Sequence, residues 1–63
     1  MRVHIIVKGA IYRPPYEGHV DVYPQEPATK ADIKWAVIGK LNRTSFSIDR
    51  LYWGDVEIKS VEL

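Results

Sequence analysis

His4 and His19 are the only two imidazoles in the chain. With Asp21 they form the one set of side chains whose types and spacing could bind a metal or move a proton. Both histidines fall in alternating apolar stretches, so they would meet across a hairpin. Three such ligands on a flat, exposed sheet lack the surrounding hydrogen bonds that orient metal-binding imidazoles, and the plainer reading is a solvated sheet face. Asp49, Asp55 and Glu57 cluster further along, where carboxylates more simply shape a turn. Ser45, Ser47, Ser60, Thr29 and Thr44 have no base at a recognisable spacing, and no Gly-x-Ser-x-Gly elbow is present. The chain contains no cysteine and neither a phosphate loop nor a Gly-x-Gly-x-x-Gly turn. No enzyme, cofactor or metal is therefore expected. A chain of 63 residues also leaves little room for a small-molecule pocket of about 300 Å³ or more.

Recognition chemistry is better represented. Tyr12, Arg13, Tyr16, Trp35, Arg50, Tyr52 and Trp53 are the candidate partner-binding residues, because Trp, Tyr and Arg dominate the energetic centres of protein interfaces. Arg13 and Tyr16 lie in residues 13–18 (RPPYEG), a loop stiffened by Pro14 and Pro15 that costs little entropy to order on binding. The alternative is a connector that only sets strand register. Trp35 has two readings, a seal over the core rim or a projecting anchor. Lys30, Lys34, Lys40 and Arg43 give the same segment a basic side, read either as a weak phosphate-facing strip or as a solvated face. The net charge of +1 makes no general case for nucleic acid. The balance does shift along the chain. Residues 1–43 hold seven Lys or Arg against four Asp or Glu, and residues 44–63 hold two against four.

The segment around which these residues must be arranged is 29–41 (TKADIKWAVIGKL), the only one periodic enough for a helix. Ile33, Val37 and Leu41 share a face, with Ala36 beside them and Ile38 at its margin. Thr29 and Asp32 form a capping box in which Asp32 also complements the helix dipole. Pro24 and Pro27 keep the approach extended, Gly39 weakens the last turn, and Asn42 is read as a left-handed stop. Upstream, residues 2–12 alternate, with Val3, Ile5, Val7 and Ile11 on one side. Residues 19–23 alternate as well, with Val20 and Val22 inward. These two strands form an antiparallel hairpin whose outer face carries His4, Ile6, Lys8, Tyr12, His19, Asp21 and Tyr23, an aromatic-and-basic platform of the kind that stacks single-stranded bases. Asp21 would repel phosphate there.

Residues 45–63 read as two further strands joined by Gly54-Asp55, a hairpin turn signal. Trp53 then faces Val56, Leu51 faces Ile58, Ile48 faces Val61 and Phe46 faces Leu63. The apolar phase slips midway in both strands, and Arg50 would oppose Lys59. Bulges near Asp49 and Ser60 would restore one buried face; otherwise a second apolar patch is left for another molecule.

The expected architecture is one α+β domain spanning residues 1–63, a four-stranded, mainly antiparallel sheet with one helix on one face, in the order ββαββ. The expected core is Val3, Ile5, Val7, Ile11, Val20, Val22, Ile33, Val37, Leu41, Leu51 and Ile58. A domain this small buries only about 60% of its unfolded surface, so packing or a partner subunit must stabilise it. The longest apolar run, residues 35–38, leaves no signal peptide or membrane span, and the lack of cysteine fits a reducing cytoplasm.

The strand at 19–23, a short linker ending in Ala28 and Thr29, the amphipathic helix and an aromatic-led strand at 46–48 together resemble the small early proteins with which phages disable host enzymes. The nearest is the podophage inhibitor of host RNA polymerase. The likeness covers residues 19–63. This helix is basic where that inhibitor's is acidic, and the chain has an additional N-terminal strand. Phage inhibitors of uracil-DNA glycosylase share a comparable layout, but the dense acid they use to mimic DNA is missing here. The resemblance implies a non-enzymatic protein-binding module, and more narrowly a phage-encoded inhibitor of a bacterial enzyme acting in the host cytoplasm. The alternatives are a nucleic-acid-binding module using the outer face of the first hairpin with the helix lysines, and a structural subunit that homodimerises through an edge strand or the second apolar patch.

Overall fold

The computed structural model describes residues 1–9, 12–44 and 50–62. Strand β1 spans Arg2–Val7, β2 spans Tyr16–Asp21, helix α1 spans Lys30–Arg43, and β3 spans Val56–Glu62. A single 3-10 turn, Trp53–Asp55, leads into β3.

Among the described residues the sheet has three antiparallel strands in the order β2-β1-β3, not the four expected. β1 and β2 form the anticipated hairpin, with Val3 opposite Val20, His4 opposite His19 and Ile6 opposite Glu17. Their bounds differ from the expected ones: β1 stops at Val7, and β2 begins at Tyr16. Gly9 turns the chain out of β1 with φ 156°, a conformation that L side chains rarely adopt, and the Tyr12 N–H donates to its carbonyl at 3.0 Å.

The larger correction concerns the C-terminal segment. β3 pairs with β1, with Val56 opposite Val7, Ile58 opposite Ile5 and Val61 opposite Val3. Gly54 and Asp55 belong to the 3-10 turn and not to a two-residue hairpin. The Asp55 carboxylate accepts from the Tyr52 N–H at 2.8 Å, and the Asp55 N–H donates to the Tyr52 carbonyl at 3.0 Å. A carboxylate that bonds its own local backbone tightens the chain there. Residues 50–52 are not strand; Phe46, Ile48 and Asp49 lie outside the described residues. The register of β3 shifts between Ser60, opposite His4, and Ile58, opposite Ile5. Lys59 is the additional residue between them, and this bulge brings Ile58 and Val61 to the same face despite their odd spacing.

Helix α1 begins as its sequence dictates. The Asp32 N–H donates to Thr29 Oγ1 at 3.1 Å and the Thr29 N–H to Asp32 Oδ2 at 2.9 Å, completing the capping box. Its end differs. Asn42 is helical, and Thr44 is the cap, extended at φ −91°. Ile33, Val37, Ile38 and Leu41 face the sheet, each contributing about 1.5–3 kcal/mol by leaving water.

The buried core is Val3, Ile5, Val7, Val22, Ile33, Val37, Ile38, Leu41, Leu51 and Val56. Val20 and Ile58, expected inside, are half-buried and pack against it. Ile11 lies outside the described residues. Val56 joins the core because β3 pairs with the central strand. No described polar or charged side chain is buried.

Candidate functional site: an exposed tryptophan pair

Helix α1 and the 3-10 turn bring Trp35 and Trp53 together. Their ring centroids are 4.7 Å apart and the planes are inclined at 48°, within the range favoured by aromatic pairs. The contact does not hide them, since Trp35 is 59% and Trp53 40% exposed. Trp35 is exposed because the helix buries the opposite stripe. Trp53 reaches it because the segment at 51–53 is tied to the helix by the side chain of Asn42. The Leu51 N–H donates to Asn42 Oδ1 at 2.9 Å, and Asn42 Nδ2 donates to the Leu51 carbonyl at 3.0 Å. Leu51 inserts into the core, which anchors Tyr52 and Trp53, one and two residues on. Tyr52 is 67% exposed.

Cations border this pair on two sides. Lys34 Nζ lies 4.4 Å from the centroid of the Trp53 ring, a cation–π geometry. A groove beside Trp53 is lined by Lys8, Lys30, Lys34 and Glu57. A second groove runs from Trp35 past Gly39, Lys40 and Arg43 to Tyr23, which is 85% exposed. Lys8 forms an ion pair with Glu57 at 2.9 Å. Its hydrogen bond and charge, followed by the charges of Lys59 and Lys34, hold the Glu57 carboxyl below the ordinary carboxylate range. Lys40 Nζ donates to the Asp21 carbonyl. The surroundings of the tryptophans are thus basic and apolar.

The other candidate residues are placed elsewhere. Tyr12 is half-buried and packs against the core, so it serves the fold first. Arg13 and Arg50 are exposed. Tyr16 opens β2 opposite Val7, on the helix side of the sheet, with its ring folded over Gly18. A Cβ at Gly18 would come within 2.5 Å of the Tyr16 hydroxyl. Trp35 and Trp53 are the part of the set brought into contact, with Tyr52 exposed one residue before Trp53. Tyr23 and Lys34 were not in it. The helical neighbour of an exposed Trp is the signal that could have suggested Lys34.

The outer face of the first hairpin carries the two histidines in contact. His4 and His19 stack on one another, with centroids 4.8 Å apart and planes at 22°, and His4 Nε2 meets Glu17 Oε2 at 2.7 Å. Glu17, Asp21, Glu57 and Glu62 fall opposite the outward residues of β1, where they would repel phosphate. No group of three or more described His, Cys, Asp or Glu residues is arranged to hold a metal. No described helix is long and apolar enough to cross a membrane. Compared with family models, with curated proteins and with solved structures, the chain matches none.

Proposed function

We propose that this chain is a non-enzymatic protein-binding module that docks through the Trp35–Trp53 pair, with Tyr52 and Tyr23 at its margins. The observation that carries this reading is the pair itself, two large rings in mutual contact and still widely exposed on a very small domain. Covering the remaining surface of each ring contributes roughly 1.5–3 kcal/mol, and such rings are the usual anchors of interfaces. Lys8, Lys30, Lys34, Lys40 and Arg43 line the adjoining grooves, so the complementary surface carries carboxylates around an apolar centre.

Single-stranded nucleic acid would also be drawn to cations beside aromatic rings. The protein reading is favoured because Trp35 and the Lys34 ammonium already sit against the Trp53 ring, leaving less of it for a base. The narrower reading, an inhibitor of a bacterial enzyme, rests on the layout resemblance. That layout included four strands where the described residues form three, and its aromatic-led segment at 46–48 lies outside the described residues.

The test is recovery of partners from bacterial lysate with the wild type and with Trp35→Ala as baits, followed by reconstitution from purified components. The reading expects a protein bound by the wild type, lost with the variant, and only modestly weakened by salt. Recovery of the same proteins by both baits overturns it. So does recovery of nucleic acid alone, with the steep salt dependence that counterion release produces.

A further inference from the structure

The two outer strands of the sheet differ in how they guard their edges. On β3 the bulge at Lys59 interrupts the strand, and a bulge and a lysine are both devices that discourage edge pairing. β2 has neither, and its register with β1 is regular from Tyr16 to Asp21. Its other side meets no described strand.

The polarity of that side follows from the hydrogen bonds at the far end of the hairpin. The Met1 ammonium donates to the Val22 carbonyl at 2.8 Å, and the Val22 N–H donates to the Met1 carbonyl at 3.0 Å. Antiparallel pairs alternate between bonded and non-bonded. Val20, Gly18 and Tyr16 therefore bond to β1, while Glu17, His19 and Asp21 direct their N–H and C=O groups to the open edge.

We propose that β2 pairs with β2 of a second copy of this chain, antiparallel about a twofold axis at Gly18, joining two sheets into one. In this register Glu17 and the partner's His19 exchange both backbone hydrogen bonds, and the axis repeats the pair. A carboxylate lies opposite an imidazole on the outer face. Gly18 meets its own copy at the close, non-bonded position, each glycine covered on the helix side by the Tyr16 ring of its own chain. On the helix side Tyr16, 41% exposed, falls opposite the half-buried Val20. Asp21 falls opposite Pro15, which has no N–H to offer. The Asp21 carbonyl does not need one, because Lys40 Nζ already donates to it. An axis at His19 would set Glu17 against Asp21. An axis at Val20 would require the Asp21 carbonyl that Lys40 occupies.

The test is sedimentation of the full chain from micromolar to millimolar concentration, with amide hydrogen exchange read at each concentration. A monomer–dimer equilibrium is expected, with the Glu17 and His19 amides slowing as dimer forms. His19→Glu sets carboxylates opposite one another and weakens dimerisation by about tenfold or more; adding Glu17→Lys restores it. Should these variants unfold, N-methylation of the His19 backbone in a synthetic chain removes one edge donor while keeping every side chain and the ladder to β1, and it too weakens the dimer. A chain that is monomeric at every concentration overturns the proposal. So does a dimer that protects β3 or the tryptophans and is unaffected by these changes.

Discussion

Asn42 and Leu51 hold each other as two strands would, the side-chain amide of one exchanging two hydrogen bonds with the backbone of the other, at 2.9 and 3.0 Å. This clamp joins the last helical turn to the segment that carries Tyr52 and Trp53, so the candidate binding surface depends on a residue that is not part of it. Asn42→Ala removes both bonds. At about 0.5–1.5 kcal/mol for each typical bond, a loss of roughly 1–3 kcal/mol is expected in denaturant unfolding. Near-ultraviolet circular dichroism should also lose the contribution of the Trp35–Trp53 contact. Asn42→Asp does not rescue it, because a carboxylate cannot donate to the Leu51 carbonyl.

The capping box gives a purely local prediction. Thr29→Ala leaves the Asp32 N–H without its acceptor and should destabilise the domain by about 1 kcal/mol, while Thr29→Ser should recover most of the loss. Since Trp35 lies beyond the first turn, its fluorescence in the folded state should not change.

Gly18 and Tyr16 should be coupled. A methyl group at Gly18 meets the far end of the Tyr16 ring, so Gly18→Ala must push that ring away. Gly18→Ala should destabilise the wild type and cost less in a Tyr16→Ala background. Residues in direct contact show coupling of about 0.5–3 kcal/mol, and a double-mutant cycle measures it. Additivity of the two changes would show that the ring does not rest on Gly18.

Acid should release the Lys8–Glu57 pair late. Lys8 depresses the Glu57 carboxyl first by a hydrogen bond and then by charge, with further help from Lys59 and Lys34. A depressed folded-state value means that the contribution to stability is present above the unfolded carboxylate value and is lost as pH falls through the folded one. Carbon-detected titration should place Glu57 below the ordinary glutamate range, and Lys8→Gln should move it upward. An unchanged midpoint in that variant would remove Lys8 as the cause.

What could be read beforehand was local. The spacing of Ile33, Val37 and Leu41, together with Thr29 and Asp32, locates the helix within a residue or so at its start, because caps and apolar stripes are short-range properties. The alternation around Val3, Ile5 and Val7 likewise identifies the buried face of β1 and the hairpin to β2. The partner of β3 was not legible. Alternation says which face of a strand is buried but not which strand lies beside it, and Gly54-Asp55 suggested a nearby partner where the distant β1 is the real one. The phase slip between Ile58 and Val61 was a genuine signal, resolved in the β1–β3 pair by the bulge at Lys59. In the candidate site, helical spacing turns Trp35 away from Ile33 but does not choose between a seal over the core rim and a projecting anchor. Its contact with Trp53 was not legible either, because it depends on the Asn42 clamp and on the Asp55 carboxylate closing a 3-10 turn.

The most direct measurement is the affinity of peptides selected on this surface from a random displayed library, compared between the wild type and Trp35→Ala. The account predicts selected peptides that combine Asp or Glu with large apolar residues. Their binding should weaken by about 30-fold or more in the variant, the scale of an interface hot spot, with the fold retained. Peptides that bind both proteins equally, or a surface that takes up only single-stranded oligonucleotides, would contradict it.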